Sequence, residues 1–277
     1  MQKKMYDLKK LCPLHLEDLT RVGRDADGGY VLSNRQIEKT KILLSFGINT
    51  DWTFEESFVE RCHHKPVRLY AFDASVSLPK FKALKQQYFV NTIVHFLLGN
   101  IPQAKKNRNR WNSYRQAVKD FTRFFQPSLH HFFIPKFVGR EDDGTYTRLD
   151  TVLTSLYEVE DLSVFIKMDI ESWEYRTLPQ LEPFFDKING VVVEFHELDI
   201  VAERFEEMID LFSTHFDIAH VHANNTGGVY TTQPVLLEVT FINKVLTGGA
   251  PFSSRTYPIE GLDFPNKPEK SDIQLVF

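Results

Sequence analysis

The chain has 277 residues, of which 42% are hydrophobic and 25% are charged, and its formal net charge is −4. This length and composition are typical of a globular protein with a full core, in one large α/β domain or two small ones. The negative net charge excludes the global positive charge with which proteins bind nucleic-acid phosphates, so we expect no nucleic-acid partner.

The chain carries few signals of export or membrane insertion. Its two cysteines, Cys12 and Cys62, have no spacing typical of a disulfide framework or a zinc site. The N-terminal sequence MQKKMYDLKK is basic but lacks the apolar run of a signal peptide. No apolar stretch is long enough for a membrane span. We therefore expect a cytoplasmic protein.

Short runs rich in apolar residues predict strands, and most are separated by segments of helical length. The predicted strands are Lys41–Phe46, Arg68–Phe72, Thr92–Leu97, Val164–Met168, Gly190–Phe195, Asp217–His222 and Val235–Ile242. The first five are almost continuously apolar, as in parallel strands buried on both faces. The predicted helices are Thr53–His63, Pro79–Tyr88, Leu149–Leu156, Ser172–Phe185 and Ile200–His215.

The end of the chain departs from this alternation of strand and helix. Only about a dozen residues separate the sixth and seventh runs, which is too short for a parallel crossover with a helix. The sequence therefore predicts a doubly wound, Rossmann-like α/β fold with a seven-stranded sheet, mostly parallel, and one antiparallel strand near the C-terminus. We interpret residues 1–277 as one domain with an N-terminal extension over residues 1–40.

A segment from Ile101 to Phe137, rich in Lys, Arg, Trp and Phe, interrupts the pattern. We expect a charged helix with an apolar seam, inserted between the third and fourth predicted strands. One interpretation is a solvated surface helix. The other is a lid over a substrate, because loops of this length are uncommon without a role.

Candidate ligand-binding residues follow the first three predicted strands, since ligands of open parallel sheets bind beyond the carboxyl ends of the strands. Gly47 allows a close backbone approach before a helix start, although a lone glycine is also typical of a tight turn. Asp73 is suited to accept hydrogen bonds from both hydroxyls of an unphosphorylated ribose, or to cap a helix. Gly99–Asn100 would lie at the edge of a base, or form an ordinary turn. The candidates are Gly47, Asn49, Asp51, Asp73, Gly99 and Asn100.

Acidic residues also follow the fourth predicted strand. Lys167, Asp169, Glu171 and Glu174 lie where a buried strand ends, and so many charges there need partners. The partners are each other, a ligand or a metal. Asp169 and Glu171 also suit the N-terminal end of the following helix.

Glu194 and His196 follow the fifth predicted strand and point to the same side of it, because they are two residues apart. Neighbouring strands lie about 4.8 Å apart, so this pair is expected to converge with Asp169 or Glu171. A histidine among carboxylates is suited to act as a general base or as a metal ligand. His220 and His222 end the sixth predicted strand, about 14 Å from the fourth. They are therefore only secondary candidates for the site around Asp169.

Several of these segments resemble FkbM-type methyltransferases. The matching motifs are TRLDTVL at Thr147–Leu153, FIKMDIESWE at Phe165–Glu174 and VVEFH at Val192–His196. A related branch is similar at RDADGGY (Arg24–Tyr30), SFGINTDWTFE (Ser45–Glu55) and HANN (His222–Asn225). The resemblance extends from about Arg21 to the C-terminus and weakens over the insert. Ser172 departs from the family pattern, which has glycine there.

The resemblance implies a class I enzyme that transfers a methyl group from S-adenosylmethionine to a hydroxyl, commonly of a sugar or another small hydroxylated acceptor. Gly47, Asn49, Asp51, Asp73, Gly99, Asn100 and Asp169 would hold the cofactor. The catalytic candidates are His196 as the base, with Asp169, Glu171 and Glu194. A divalent metal on Asp169, Glu194 and His196 remains an open alternative. The rival functions are an NAD-dependent oxidoreductase and a non-catalytic nucleoside-binding domain.

Overall fold

A seven-stranded sheet forms the centre of this computed structural model, which describes residues 5–62 and 66–277. The strands are β1 (Ile42–Phe46), β2 (Arg68–Phe72), β3 (His131–Ile134), β4 (Val164–Met168), β5 (Ile188–Phe195), β6 (Phe216–Ala223) and β7 (Leu237–Asn243). Their spatial order is β6-β7-β5-β4-β1-β2-β3. β7 is antiparallel to both neighbours, and the other pairs are parallel. The predicted Rossmann-like fold is confirmed.

Helices cover both faces of the sheet, which explains why its central strands are apolar throughout. All residues of β1, β4 and β5 are buried. The helices are α1 (Asn34–Lys39), α2 (Thr53–Arg61), α3 (Leu78–Leu97), α4 (Ile101–Phe124), α5 (Leu149–Ser155), α6 (Glu174–Thr177), α7 (Leu198–Phe212) and α8 (Lys244–Thr247). No helix among the described residues has the length and apolar character needed to cross a bilayer.

Shorter elements connect these parts. Strand pairs form between Leu19–Val22 and Tyr30–Ser33, between Phe137–Val138 and Tyr146–Thr147, and between Val229–Tyr230 and Gln233–Pro234. 3₁₀ helices span Leu8–Leu11, Pro127–Leu129 and Leu178–Phe184. The last of these continues α6 where a single helix over Ser172–Phe185 was predicted. Its internal proline, Pro183, has no backbone N–H for a regular helical bond.

The prediction of a strand over Thr92–Leu97 is wrong, because these residues form the last turns of α3. Ser77 caps this helix by accepting a hydrogen bond from the backbone N–H of Lys80, and a proline lies in its first turn. The third strand is β3, inside the segment assigned to the insert. The charged helix predicted there is α4, but it lies between the second and third strands and packs against α3 as a helical hairpin.

The remaining helix predictions differ from the structure mainly at their ends. Thr53–His63 is observed as α2, and His63 lies outside the described residues. Ile200–His215 is observed as α7, which begins and ends slightly earlier. These shifts are of the size expected for helix ends.

Gln36 ties the N-terminal segment to the centre of the sheet. Its side chain is fully buried, accepts a hydrogen bond from the N–H of Ser33 and donates one to the carbonyl of Phe241 in β7. The first bond completes a capping box at the start of α1. Nearby, the Thr240 hydroxyl donates to the carbonyl of Val31. The part of the extension around Val31 and Gln36 is therefore packed against the sheet.

We expect Gln36→Leu to lower the free energy of unfolding by about 2–4 kcal/mol, because it leaves two buried backbone groups without partners. Chemical denaturation measures this difference. Gln116→Leu, on the surface of α4, is the matched control and should change stability little. Equal effects of the two substitutions would contradict the role given to Gln36.

Candidate functional site

A cavity of about 500 Å³ opens at the carboxyl ends of β1, β2 and β4. These three strands end level with one another, since Phe46 pairs in register with Phe72 and Met168. The strand order reverses between β1 and β4, which is where ligands bind in sheets of this kind. The lining residues are Phe46, Gly47, Asn49, Phe72, Asp73, Ser75, Phe137, Val138, Tyr146, Asp169, Ile170, Glu171 and Trp173.

Gly47 lets the loop after β1 contact the backbone after β4. Its φ is +78°, and a Cβ there would lie 1.7 Å from the carbonyl oxygen of Asp169. A side chain is therefore excluded both by conformation and by space. The buried Lys167 crosses the same gap, and its Nζ donates a hydrogen bond to the carbonyl of Gly47 at 2.9 Å. These contacts fix the floor of the cavity.

Asp73 lines the cavity with its carboxylate held in place by backbone groups. Its Oδ2 accepts a hydrogen bond from the N–H of Asn49 at 2.8 Å, and its Oδ1 accepts one from the N–H of Ser75 at 2.7 Å. An ionised carboxylate offers about four acceptor positions. Two therefore remain for hydroxyl groups of a ligand in the cavity.

Three predicted cofactor residues lie outside the cavity lining. The Asp51 carboxylate contacts the guanidinium of Arg24 and accepts a hydrogen bond from the N–H of Thr53, at the start of α2. Gly99 and Asn100 are exposed in the turn between α3 and α4, where Asn100 caps α4. Their predicted position at the end of a strand is wrong, because that strand is part of α3.

Aromatic residues that sequence reasoning missed form one wall of the cavity. Phe137 lies 5.8 Å from Tyr146 between ring centroids, and Tyr146 lies 6.0 Å from Trp173. Phe137 follows β3, so the wrong third strand removed the signal that would have placed it here. An aromatic wall in a cavity that also contains a charged group such as Asp73 is typical of small-molecule sites.

His196, at the end of β5, is surrounded by four carboxylates. Its Nδ1 lies 2.8 Å from Oε1 of Glu174, and its Nε2 lies 3.6–3.7 Å from carboxylate oxygens of Asp169, Glu171 and Glu194. The predicted convergence of Asp169, Glu171, Glu194 and His196 is thus observed. Asp169 and Glu171 also line the cavity, so they connect it to the histidine.

The charges around His196 control its protonation. Burial alone would lower its pKa, but the hydrogen bond with Glu174 and the charges of Glu174, Glu194 and Asp169 raise the pKa to about 9. Burial, followed by the charges of Asp169 and Glu238, raises the pKa of Glu194 well above its ordinary value. At neutral pH the imidazole therefore carries a proton when no other cation is bound.

Glu174 is a further site residue, which the sequence analysis named among the charges after the fourth strand but to which it gave no role of its own. It is fully buried, and its Oε2 has no hydrogen-bond partner among the described residues. Its bond to Nδ1 orients the ring of His196 so that Nε2 faces Asp169 and Glu171. The turn that leads from β4 to α6 is unusual, since Glu171 and Ser172 in it have φ of +53° and +72°. A φ of +72° is a conformation that glycine adopts more readily than serine.

His220 and His222 belong to a separate buried network near the C-terminal segment. Nδ1 of His222 lies 3.0 Å from Glu238, and its Nε2 lies 3.1 Å from Asp272. Burial lowers the pKa of His220 to about 3, and this side chain lies 3.0 Å from Asp263. These contacts attach residues after β7 to the sheet and explain the burial of both histidines.

No protein-family model matches the chain, and no curated protein matches it in sequence. Among solved structures it is similar to a precorrin-6y C5,15-methyltransferase from Geobacter metallireducens, with 11% identity, a TM-score of 0.34, and coverage of 76% of this chain and 86% of that chain. It is also similar to a candidate tRNA (m1A22) methyltransferase from Streptococcus pneumoniae, in complex with S-adenosyl-L-methionine. The identity is 12%, the TM-score is 0.34, and the match covers 76% of this chain and 73% of that chain. For a candidate class I S-adenosylmethionine-dependent methyltransferase from Listeria monocytogenes, the identity is 8% and the TM-score is 0.34. This match covers 86% of this chain and 63% of that chain. These similarities concern the fold alone.

The raised pKa of His196 predicts a pH-dependent contribution to stability. Because the pKa rises from 6.5 in the unfolded chain to about 9 in the folded one, the contribution is fully present below pH 6.5 and disappears as pH rises through 9. We expect His196→Gln to cost up to about 3 kcal/mol at pH 6 and much less at pH 10. Denaturation of both proteins in the presence of a chelator measures this difference. A cost independent of pH would contradict it.

Proposed function

We propose that this protein is an S-adenosylmethionine-dependent O-methyltransferase that acts on a hydroxyl of a small acceptor, with a carbohydrate as the first candidate. The observation that carries this proposal is a single cavity lined by Asp73 and by Asp169 and Glu171, two carboxylates that lie 3.7 Å from His196. Asp73 suits a nucleoside, and the group of Asp169, Glu171 and His196 suits a hydroxyl that must lose a proton. The FkbM-type motifs include Asp169, Glu171 and His196, and the motif of the related branch includes Gly47 and Asn49.

In this proposal the cofactor is held by Gly47, Asn49, Asp73 and Asp169. Asp73 accepts hydrogen bonds from the two ribose hydroxyls with its remaining acceptor positions. Gly47 lines the cavity beside the methionine part, and the aromatic wall around Tyr146 contacts the base. The cofactor supplies a methyl group activated by a sulfonium, so the protein contributes mainly orientation and proton removal.

The carboxylates around Nε2 of His196 also suit a divalent cation. The distances of 3.6–3.7 Å from Nε2 to the carboxylate oxygens of Asp169, Glu171 and Glu194 are too long for hydrogen bonds. They are close to the spacing of ligands that surround one ion with bonds of about 2.1 Å. One ligand atom from each of Asp169, Glu171 and His196 lies within 4.8 Å of the others. Glu174 acts behind the histidine as an orienting carboxylate, a common arrangement in metal sites.

The protonation of His196 favours a site with a bound cation over a site in which His196 acts as the base. A protonated imidazole does not accept a proton at neutral pH, whereas a cation competes with that proton for Nε2. A cation held by Asp169, Glu171 and His196 would act as a Lewis acid and lower the pKa of the acceptor hydroxyl. In this proposal His196 is a neutral ligand. Glu194, which lies 3.6 Å from Nε2 of His196, would be the carboxylate that accepts the hydroxyl proton as the new C–O bond forms and the methyl–sulfur bond breaks.

Two further expectations belong to this proposal. Both cysteines of the described chain are free, which agrees with a reducing compartment and with a cytoplasmic location. An NAD-dependent oxidoreductase is the alternative for the same fold. It is disfavoured by the antiparallel β7 and by a single glycine after β1 instead of a glycine-rich fingerprint.

The cofactor assignment predicts that Asp73→Asn weakens binding of S-adenosylhomocysteine by about 10- to 100-fold, because a charge-assisted acceptor is lost. Isothermal titration calorimetry measures the affinity. Asp161→Asn, which neutralises an exposed acid far from the cavity, is the matched control and should bind normally. Tight binding of NAD by the unmodified protein, with none of S-adenosylhomocysteine, would favour the oxidoreductase.

The metal assignment predicts that the protein binds Mn²⁺ and that Asp169→Asn and His196→Gln each weaken this binding at least 10-fold. Titration followed by electron paramagnetic resonance measures free Mn²⁺ directly, without any need for the acceptor. Glu207→Gln, on the exposed side of α7, is the control. If the unmodified protein leaves all Mn²⁺ free at millimolar concentration, the metal form of the proposal is wrong, whereas the cofactor site is unaffected.

A further inference from the structure

The helical hairpin formed by α3 and α4 ends in an apolar tip that no described residue covers. Eight large apolar side chains are exposed in this short stretch: Phe89, Val90, Ile93, Val94, Phe96, Leu97, Leu98 and Ile101. Leu97 and Leu98 have 77% and 74% of their surface exposed. A contiguous apolar surface of this kind marks an interaction site, whereas scattered apolar residues do not.

The hairpin around this tip is strongly basic. Residues 78–124 contain ten Lys and Arg and a single acidic residue, Asp120, although the whole chain has a net charge of −4. Lys105, Lys106 and Arg110 follow the tip on α4. At the helical rise, they lie about 6 to 14 Å from Ile101 along the axis. A band of cations therefore lies directly behind the apolar tip.

Aromatic residues lie at the level of this cationic band. The ring of Phe89 lies 5.5 Å from that of Trp111, and the guanidinium of Arg110 lies 5.3 Å from the ring centre of Tyr88. Arg115 approaches the ring of Trp111 in the same way. An apolar tip followed by one level of cations and amphipathic aromatics matches a bilayer, in which the acyl chains are followed by the interfacial headgroup layer.

The hairpin lies beside the loop that follows β1, and residues of this loop also line the cavity. Its base is anchored, because Phe81 and Phe121 pack against Trp52. Tyr88 and Arg110 border a cleft with Thr50, in the loop that follows β1. The tip lies at least one further helical turn beyond this level along the hairpin.

We propose that the tip of the α3–α4 hairpin inserts into the interfacial layer of a membrane that contains anionic lipids. A second copy of the chain is a poorer partner, because two basic hairpins repel each other. A nucleic acid would neutralise the cations but leave the apolar tip in water. An anionic lipid surface satisfies both features, and insertion of 5–10 Å suffices without any membrane span. This inference is independent of the proposed methyl transfer.

Sedimentation of the full chain with vesicles tests the proposal. We expect the protein to sediment with vesicles of equal parts phosphatidylcholine and phosphatidylserine, and only weakly with phosphatidylcholine alone. Leu97→Ser with Leu98→Ser should weaken binding on the order of 100-fold, because two inserted side chains are lost. Lys105→Gln with Lys106→Gln should weaken it about 25-fold, since each cation near an anionic surface contributes about fivefold.

The control variant replaces equally exposed apolar residues elsewhere, Val245→Ser with Val276→Ser, and should bind vesicles like the unmodified protein. Circular dichroism checks that each variant is folded. The proposal is overturned if the anionic vesicles leave the protein in solution, or if the Leu97 and Leu98 variant binds them normally. It is also overturned if light scattering shows a dimer that this variant converts to a monomer without any vesicle binding.

Discussion

The structure of the site depends on the contact between the loop after β1 and the backbone after β4. Gly47 allows this contact because it has no side chain, and Lys167 bridges the two segments from below. The parallel register of β1 with β2 and β4 then brings Asp73 and Asp169 to one edge of the sheet. One close backbone approach thus determines where the cavity lies and which carboxylates face it.

The sequence predicted the sheet well wherever burial on both faces makes a strand almost continuously apolar, as in β4 and β5. It failed at Thr92–Leu97, because a short apolar run has the same composition in a strand and in a helix whose side chains remain exposed. The two cases are distinguished by tertiary contacts, here the packing of α3 against α4. This error displaced the third strand and hid the aromatic wall that begins at Phe137.

The candidate site was predictable to the extent that strand geometry determines it. Glu194 and His196 point to one side of β5 because they are two residues apart, and β4 lies next to it. The contribution of Glu174 was not predictable, since it depends on a turn with two residues of positive φ. The protonation of His196 was equally inaccessible, because it depends on how many carboxylates surround the ring and how deeply they are buried.

The basic hairpin also makes the distribution of charge very uneven. Ten of the cationic side chains are concentrated in residues 78–124, so the remainder of the chain is strongly acidic. The protein therefore has a large electric dipole moment that its small net charge conceals. Near its isoelectric pH it should orient in an applied field and adhere to ion-exchange media of either sign, each through a different side of the molecule.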